Sequence, residues 1–431
     1  MAAIHQQNAI TRRLDRLVEM WEAFREESGA LLCRWLVAAD EYSMVEAFYE
    51  REASEGGLTP DVFLRFDTPF KDMHSYGGAL RQAFIGMVEE DRELLQEEGI
   101  DLAWQAGAAP QAQHNSQLLS LEMAAFARQN PLVEDLMVAY LSPGTNEDVY
   151  AWVEWLMDAV AAGAPPNVRW MVVDTLAHPI FDQLAELYPQ KVKTIRPELD
   201  MPAAMRELAA AGNPAEPGVQ YRMAFVALTQ AVGKQNWTAI EQHAKEALHI
   251  ARENQWPHLM SSIHITVGNA EMSAGKNEEA LMSYRKAEAV SEQAWKAGDA
   301  VCGKLLVQAL FGQGAVYIAQ QQHEQAAKIY AKTGQLAEEI KDLHYAMEAW
   351  RMAGYAHEWD KWWDDARQAY EKALAAGMQL DESMRPHTTL PYIGDALIRA
   401  CLKSGHSPRA TEVEHLMQQE IGDDWQKKLT R

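Results

Sequence analysis

Small and aromatic side chains recur at helical spacing along the second half of this chain. In the segment "GKNEEALMSYRKA", Ala280 is followed by Tyr284 and Ala287, so the three side chains share one stripe of an α-helix. Three other segments repeat the spacing and give the sets Ala326, Tyr330 and Thr333; Ala366, Tyr370 and Ala373; and, more weakly, Ile240, Ala244 and Ala247. The pattern predicts amphipathic helices whose small residues let a second helix approach closely.

A second position recurs with the same spacing on the helix that precedes each of these helices. It is Gly268, Gly314 and Gly354 in the three clear copies and Leu228 in the weak copy, always nine residues before a helix opening. A glycine there lets two antiparallel helices cross closely. The first small residues, at positions 240, 280, 326 and 366, are separated by 40, 46 and 40 residues. The two positions together predict a series of helical hairpins.

This combination resembles the tetratricopeptide repeat (TPR). The family's small-residue, aromatic and alanine signature is matched in three units and weakly in two, the last of which contains Gly394 and Ala410. The resemblance covers residues 219–425 and implies an α-solenoid whose first helices line a groove. The units are longer than the roughly 34 residues usual in the family. The alternative is an ordinary helical bundle with chance alanines.

The first half of the chain has a different pattern. Residues 1–57 carry two amphipathic segments broken near Gly29, which predict an N-terminal helical hairpin. Residues 58–212 then alternate helical stretches with short runs rich in β-formers, and this alternation predicts an α/β domain with a parallel sheet. The predicted strands are 61–66, 134–144, 168–175 and 191–198, and 211–218 is the linker into the repeats. The predicted fold is mainly α, a small α/β domain followed by a C-terminal solenoid.

One predicted strand, "VRWMVVD", ends at Asp174 and has the shape of a magnesium-site strand in P-loop ATPases. This strand, the segment "TIRPELDMPAAMREL" and the order of the domains resemble the core of the repeat-carrying signalling ATPases known as STAND proteins. No GxxxxGK[ST] motif occurs, and the loop "DTPFKDMHSYGG" lacks the glycines that cradle a phosphate. The resemblance therefore implies a degenerate core without turnover. The alternative is an unrelated α/β domain in which Asp174 caps the next helix.

Composition narrows the classes of partner. The chain carries 39 Lys and Arg against 62 Asp and Glu, a formal net charge of −23. Such a surface repels nucleic acids and anionic membranes and favours protein partners. The cysteines Cys33, Cys302 and Cys401 are far apart, which argues against a disulfide framework or a cysteine zinc site. The N-terminus lacks the layout of a signal peptide, and apolar runs fall short of about 18 residues, so we expect a cytoplasmic protein without a membrane span.

Sequence motifs for catalysis are scarce. No HExxH, GxSxG or CxxC motif is present, and we therefore expect no enzyme, no cofactor and no metal site. A cryptic enzyme that uses the strand ends of the α/β domain is the least favoured hypothesis. Its candidate residues are Asp67, Ser142, Thr145 and Asp174.

The TPR resemblance also implies where a partner binds. Family geometry places groove positions six and three residues before the glycine marker and one, four and five residues after it. The predicted groove residues are Arg222, Phe225, Asn269, Gln308, Phe311, Arg351, Tyr355 and Trp359, with Ser262, Ile265, Glu348 and Glu358 beside them. Aromatic residues and arginines are enriched in protein hot spots. The basic clamp that some family members use for acidic peptides is not reproduced, because Phe225 and Phe311 occupy two of its positions.

These patterns favour a non-enzymatic interaction protein, an adaptor or chaperone that captures a partner peptide or helix in the groove. The overall character of the sequence suggests a bacterial setting in which the partner is a secreted effector. The alternative is a STAND-like signalling protein whose degenerate core still holds a nucleotide.

Overall fold

A computed structural model of the 431-residue chain describes residues 8–97, 102, 104–112, 114–130, 133, 135–144, 146 and 148–430. The chain divides between Leu208 and Ala209 into two compact units. The first unit is an α/β domain and the second is a run of helical hairpins. Both parts agree with the predicted fold class.

The first unit is built on a parallel sheet of five strands in the order β2-β3-β4-β1-β5. The strands are β1 (Leu32–Val37), β2 (Val62–Phe66), β3 (Met137–Leu141), β4 (Val168–Thr175) and β5 (Val192–Ile195). The helices are α1 (Ala9–Arg25), α2 (Tyr42–Glu52), α3 (Tyr76–Glu97), α4 (Gln117–Gln129), α5 (Val149–Ala162), α6 (Asp182–Leu187) and α7 (Met201–Ala209). Side chains of α1 and α2 form the core on one face of the sheet, and those of α3 to α6 form the core on the other. A sheet covered on both faces explains why its strands are almost wholly apolar.

The predicted N-terminal hairpin in residues 1–57 is wrong. The second of its two segments begins with the strand β1, which lies between β4 and β5 in the interior of the sheet. All six residues of β1 are buried, Arg34 among them. A short run that is apolar apart from Arg34 carries no periodicity that separates a buried strand from a buried helix, and the helices on either side favoured the wrong choice. Residues 8–57 therefore contribute α1, β1 and α2 to the α/β unit.

The other four strands occur where the sequence predicted them. Strand β4 has the predicted bounds, and β2, β3 and β5 each lie inside the predicted ranges. The linker before the repeats ends at Pro217, the first residue of the next helix. Proline is favoured in the first turn of a helix because the missing N–H would have no partner there.

The second unit contains five helical hairpins between residues 217 and 421. The first helices of the hairpins are α8 (Pro217–Gly233), α10 (Pro257–Ser273), α12 (Ala300–Ala319), α14 (Leu343–Trp359) and α16 (Leu390–Lys403). The second helices are α9 (Trp237–Glu253), α11 (Asn277–Lys296), α13 (His323–Glu339), α15 (Trp363–Gly377) and α17 (Ser407–Ile421). Four of the second helices begin nine residues after the markers at 228, 268, 314 and 354, as the sequence predicted.

Each glycine marker meets the tyrosine of its own hairpin. A Cβ atom added to Gly354 would lie 2.6 Å from the ring of Tyr370, and one added to Gly314 would lie 2.6 Å from the ring of Tyr330. At Gly268 the corresponding distance to the ring of Tyr284 is 3.0 Å. These distances leave no room for a methyl group without movement. The recurring glycine and tyrosine therefore pack against each other in each hairpin. This contact confirms the TPR-like pattern.

Helix α12 departs from the expectation that apolar runs are short. Of the helices in the described residues, it is long and apolar enough to cross a membrane by length and composition. Half of its most apolar window is buried inside the molecule, where Leu306, Val307 and Leu310 join the core of the hairpins. A helix that is apolar all round is typical of the core of a large helical array.

Candidate partner-binding groove

An open pocket of about 440 Å³ lies in the second unit. Its lining comes from three successive first helices, α10, α12 and α14, and from Tyr284 of the second helix α11. The lining residues are Ile265, Asn269, Met272, Tyr284, Gln308, Phe311, Gly312, Ala315 and Tyr345. We call this the groove pocket.

The groove pocket gathers the predicted groove residues of the second and third hairpins. Asn269, Gln308 and Phe311 line it together with the neighbouring candidate Ile265. Helical spacing brings each set to one side of its helix, because residues three and four apart lie on the same face. On α10 the side chains at 265, 269 and 272 share a face, and on α12 those at 308, 311, 312 and 315 do so.

The lining of the groove pocket has no charged side chain. Its polar groups are the amides of Asn269 and Gln308 and the hydroxyls of Tyr284 and Tyr345. Asn269 accepts a hydrogen bond of 2.6 Å from the Tyr284 hydroxyl through Oδ1, and within the described residues its amide nitrogen has no partner. Burial, with a smaller contribution from the nearby Glu271 carboxylate, raises the pKa of Tyr284 to about 12, so its hydroxyl stays a donor. The pocket therefore offers an apolar cavity with amide groups free to pair with a peptide backbone.

Aromatic rings fix one wall of the groove pocket. Phe311 packs edge-on against Tyr330 with ring centroids 5.1 Å apart, and against Tyr345 at 6.0 Å. Tyr345 was not among the predicted groove residues. It lies nine residues before Gly354, one helical turn beyond the predicted positions at six and three, so continuing the stripe by one more turn would have found it.

The predicted residues of α14 lie outside the lining of the groove pocket. Arg351 is half-buried, and its Nε lies 2.8 Å from Glu348 on the same helix. Tyr355 packs edge-on against Trp359 at 6.2 Å. Trp359 is 58% exposed and stacks on His323 at 5.4 Å, so it is the most exposed aromatic ring of the predicted set.

The two predicted residues of α8 also lie outside the pocket. Phe225 is half-buried and stacks on Tyr221 with ring centroids 5.7 Å apart. Arg222 is exposed and donates a hydrogen bond of 2.8 Å to the carbonyl oxygen of Ala211. The geometry thus joins three of the eight predicted groove residues in one pocket and distributes the other five along the array.

The strand-end candidate Asp174 is engaged within its own domain. It is 3% exposed and lies 2.9 Å from Nε of the buried Arg34. Its two carboxylate oxygens also accept hydrogen bonds from the backbone amides of Thr175, Ile180 and Phe181. Asp182 also contacts Arg34, at 2.6 Å from the same nitrogen, Nη2, that contacts Asp174. Asp174 is therefore a structural ion-pair partner that fixes the loop before α6. It is not the helix cap of the alternative interpretation, because α6 has no side-chain cap and the amides bound to Asp174 precede its first residue.

Asp67 and Ser142 lie together at the ends of β2 and β3, and Arg65 lies between them. Arg65 donates to Asp67 at 2.7 Å and to the Ser142 hydroxyl at 3.3 Å, and it also pairs with Glu46. Within the described residues the Ser142 hydroxyl forms no hydrogen bond to a histidine or carboxylate that could activate it. Thr145, the fourth strand-end candidate, lies outside the described residues.

In an open parallel sheet, ligands bind at the carboxyl ends of the strands where the strand order reverses. Here that point lies between β1 and β4. Glu41 is 6% exposed, and its carboxylate accepts from the amide of Ala38, after β1, at 3.0 Å and from the amide of Leu199, after β5, at 2.6 Å. Glu41 therefore ties the loop after the first strand to the segment after β5, the neighbour of β1 on the side away from β4.

Within the described ranges, no three His, Cys, Asp or Glu side chains come together in a way that could hold a metal ion.

Several solved structures align with this chain at low identity. BtubC from P. vanneervenii aligns with 18% identity and a TM-score of 0.40, over 51% of this chain and 90% of that protein. Aspartyl phosphate phosphatase F from Bacillus subtilis aligns with 14% identity and a TM-score of 0.36, over 81% of this chain and 74% of the phosphatase. A STAND protein with a tetratricopeptide repeat sensor from Pyrococcus horikoshii aligns with 8% identity and a TM-score of 0.24, over 94% and 90%. No protein-family model and no curated protein matches the sequence. The description of the second unit as TPR-like therefore rests on its own hairpins and glycine–tyrosine contacts.

Proposed function

We propose that this chain is a non-enzymatic adaptor or chaperone that captures a segment of a partner protein in the groove pocket. The observation that carries the proposal is the convergence of Asn269, Gln308 and Phe311, from two successive first helices, on one uncharged cavity of about 440 Å³. Pockets of this kind combine apolar walls with a few polar groups that fix orientation.

The chemistry of the lining specifies the captured segment. Apolar side chains of the partner fit against Ile265, Met272 and Phe311, and the free amide groups of Asn269 and Gln308 suit its backbone. A charged side chain inserted here would lose its hydration without an opposite charge to compensate. The partner segment therefore carries uncharged apolar residues, which distinguishes it from the acidic peptides read by basic clamps.

We further propose a cytoplasmic site of action, in a bacterium that uses the chain to hold a secreted effector before export. The net charge of −23 and the three buried free cysteines support an intracellular protein-binding role. Tethering a partner to the repeat array leaves the α/β unit free to contact a second protein.

Affinity capture from lysate of the source cells tests the proposal. We would compare the wild type with Gln308→Arg, which puts a charge into the uncharged pocket, and identify retained proteins by mass spectrometry. The matched control is Gln335→Arg, because Gln335 is exposed on the second helix α13 and does not line the pocket. We expect one protein to be retained by the wild type and the control and lost from Gln308→Arg. Equal retention by all three would overturn the proposal.

A further inference from the structure

A second pocket, of about 550 Å³, lies between α9, α10 and α11. It uses the opposite side of α10 from the groove pocket. His264, Val267 and Glu271 face it, whereas Ile265, Asn269 and Met272 face the groove pocket. At 100° per residue these two sets are separated by more than a quarter turn of the helix, so the two pockets do not share side chains. We call this the dipolar pocket, for the charge pattern described next.

Seven of the nine titratable side chains that line the dipolar pocket are sorted by sign along its length. The exceptions are Lys276, which lies at the end that holds the carboxylates, and Lys245, which lies on α9 between the two ends. The three helices run alternately up and down, because the turns between them are only three residues long. Helices α9 and α11 therefore run in the same direction, and Lys276 at the start of α11 contacts the ring of Trp237 at the start of α9, 3.4 Å from its centroid. This contact closes one end of the pocket.

Carboxylates collect at that closed end. They are Glu241 in the second turn of α9, Glu279 in the first turn of α11 and Glu271 in the last turn of the antiparallel α10. Burial is the main cause that raises the pKa of Glu271, and repulsion from the Glu279 carboxylate adds to it. We call this the acidic end.

Cations and imidazoles collect at the other end, about 10 Å farther along the helices at 1.5 Å per residue. They are Arg252 and His249 near the end of α9, Lys286 on α11 and His264 on α10. Within the described residues neither Arg252 nor Lys286 forms an ion pair, although the chain has a large excess of acid. Burial, with smaller contributions from the charges of Lys286 and Arg252, lowers the pKa of His264 to about 4. We call this the basic end.

The floor between the two ends is apolar. Ile240, Ala244 and Leu248 of α9 face Val267 of α10 across it. Unpaired cations beside a cavity raise the local concentration of anions, while the carboxylates at the acidic end disfavour a second anion. The pocket thus discriminates between a simple polyanion and a molecule with both signs of charge.

We propose that the dipolar pocket is a second binding site, which takes a small elongated zwitterion with an apolar middle. Its carboxylate or phosphate group pairs with Arg252 and Lys286 at the basic end, and its ammonium group lies among Glu241, Glu271 and Glu279 at the acidic end. This site is independent of the proposed capture of a protein segment, because it lies on the other side of α10.

Calorimetry on the full chain with 8-aminooctanoate tests the proposal. Its ammonium and carboxylate are joined by an apolar chain that spans a comparable length. Octanoate, which lacks the ammonium, and inorganic phosphate, which lacks the apolar chain, are the comparison probes. We expect 8-aminooctanoate to bind at least tenfold more tightly than either, the factor that about 1.4 kcal/mol of extra ionic interaction gives.

Exposed charges can be removed without disturbing the core. Arg252→Gln/Lys286→Gln should weaken both 8-aminooctanoate and octanoate at least tenfold, and Glu241→Gln/Glu279→Gln should weaken only 8-aminooctanoate. The matched control is Lys304→Gln, an exposed lysine on α12 outside the pocket, which should change neither affinity. Octanoate or phosphate binding as tightly as 8-aminooctanoate would overturn the zwitterion assignment. Absence of saturable heat from all three probes up to about 10 mM would overturn the site itself.

Discussion

The tyrosine hydroxyls of successive hairpins have different partners. Tyr284 donates to Asn269, the residue that follows the glycine marker of its hairpin. In the next hairpin the corresponding position is Ala315, and within the described residues the buried hydroxyl of Tyr330 has no hydrogen-bond partner. Leaving a buried hydroxyl unpaired costs about 1–3 kcal/mol. In these two hairpins, the residue that follows the glycine marker therefore determines whether the tyrosine hydroxyl has a hydrogen-bond partner.

Exchanging these two residues tests that reasoning. We expect Asn269→Ala to lower the free energy of unfolding by about 1–2 kcal/mol, and Ala315→Asn to raise it by about 1 kcal/mol, because an acceptor is removed in the first and supplied in the second. Urea unfolding followed by circular dichroism measures both. The control is Ala315→Asn in a Tyr330→Phe background, where no hydroxyl remains to be paired and no gain should occur. A gain of equal size there would show that the hydroxyl is not the cause.

The contacts of the glycine markers predict how glycine-to-alanine substitutions change the stability. A methyl group at Gly354 would meet the ring of Tyr370, so we expect Gly354→Ala to destabilise the chain by about 1–3 kcal/mol through overpacking. Gly86, in the interior of helix α3, has no atom within 4 Å of an added Cβ. Gly86→Ala should therefore stabilise by about 0.5–1 kcal/mol, as alanine does in an open helical position. Urea midpoints that shift in the same direction for both variants would contradict the contact.

At the scale of elements, the sequence predicted helices better than it predicted strand β1. The repeat spacing placed the starts of α9, α11, α13 and α15, because small residues and tyrosines must recur wherever two helices cross closely. The other four strands were predicted from the sequence because turn residues flank them. Strand β1 was missed since its neighbours in the sheet, β4 and β5, lie more than 130 residues away in sequence, and only their pairing identifies it.

For the groove, too, the sequence could predict only the residues whose positions follow from helical spacing. Spacing from the markers found Asn269, Gln308 and Phe311, which the pocket brings together. It could not foresee that Arg351 would pair with Glu348, or that Arg222 would donate to Ala211, because those partners depend on side-chain direction. The choice of binding residues among those on a helix face requires the neighbouring helices to be in place.

The burial of His264 on helix α10 predicts that the free energy of unfolding depends on pH. The pKa of His264 is about 4, below its ordinary value near 6.5, so the unfolded chain binds a proton between these pH values while the folded chain does not. Stability should therefore fall as pH drops from 7 to 5. For this residue the loss is about 1 kcal/mol, after halving the full linkage value because the side chain is only half-buried.

Comparison with His264→Gln isolates that contribution, because the other titrating groups are common to both proteins. The unfolding free energy of the wild type should decrease between pH 7 and pH 5 by about 1 kcal/mol more than that of the variant. An identical decrease in the two proteins would contradict the lowered pKa.

At the scale of the whole molecule, our proposal gives the two units different roles. The α/β unit has the parallel sheet that the STAND resemblance implies, and Glu41 ties the loop after its first strand to the segment after β5. Asp174 supports its own domain through Arg34. Binding of a partner is assigned to the helical hairpins, where an uncharged pocket is open between three helices.

Asp174→Ala distinguishes a structural carboxylate from a magnesium ligand. We expect the free energy of unfolding to fall by about 3 kcal/mol, because the buried Arg34 would lose its buried partner and keep only the exposed Asp182. The double variant Arg34→Met/Asp174→Ala should recover part of that loss, since no unpaired charge stays buried. Calorimetry with ATP and magnesium should give no saturable heat. Saturable binding that Asp174→Ala weakens at unchanged stability would favour the nucleotide-binding alternative.

Site-specific photo-cross-linking tests most directly the claim that the groove pocket holds a partner. Benzoylphenylalanine would replace Gln308 inside the pocket, and in a matched protein the exposed Gln335 on α13, with irradiation in the source cells. Our account predicts a cross-linked partner at position 308, joined through an uncharged apolar segment, and none at position 335. The same adduct from both positions, or adducts from position 335 alone, would contradict it.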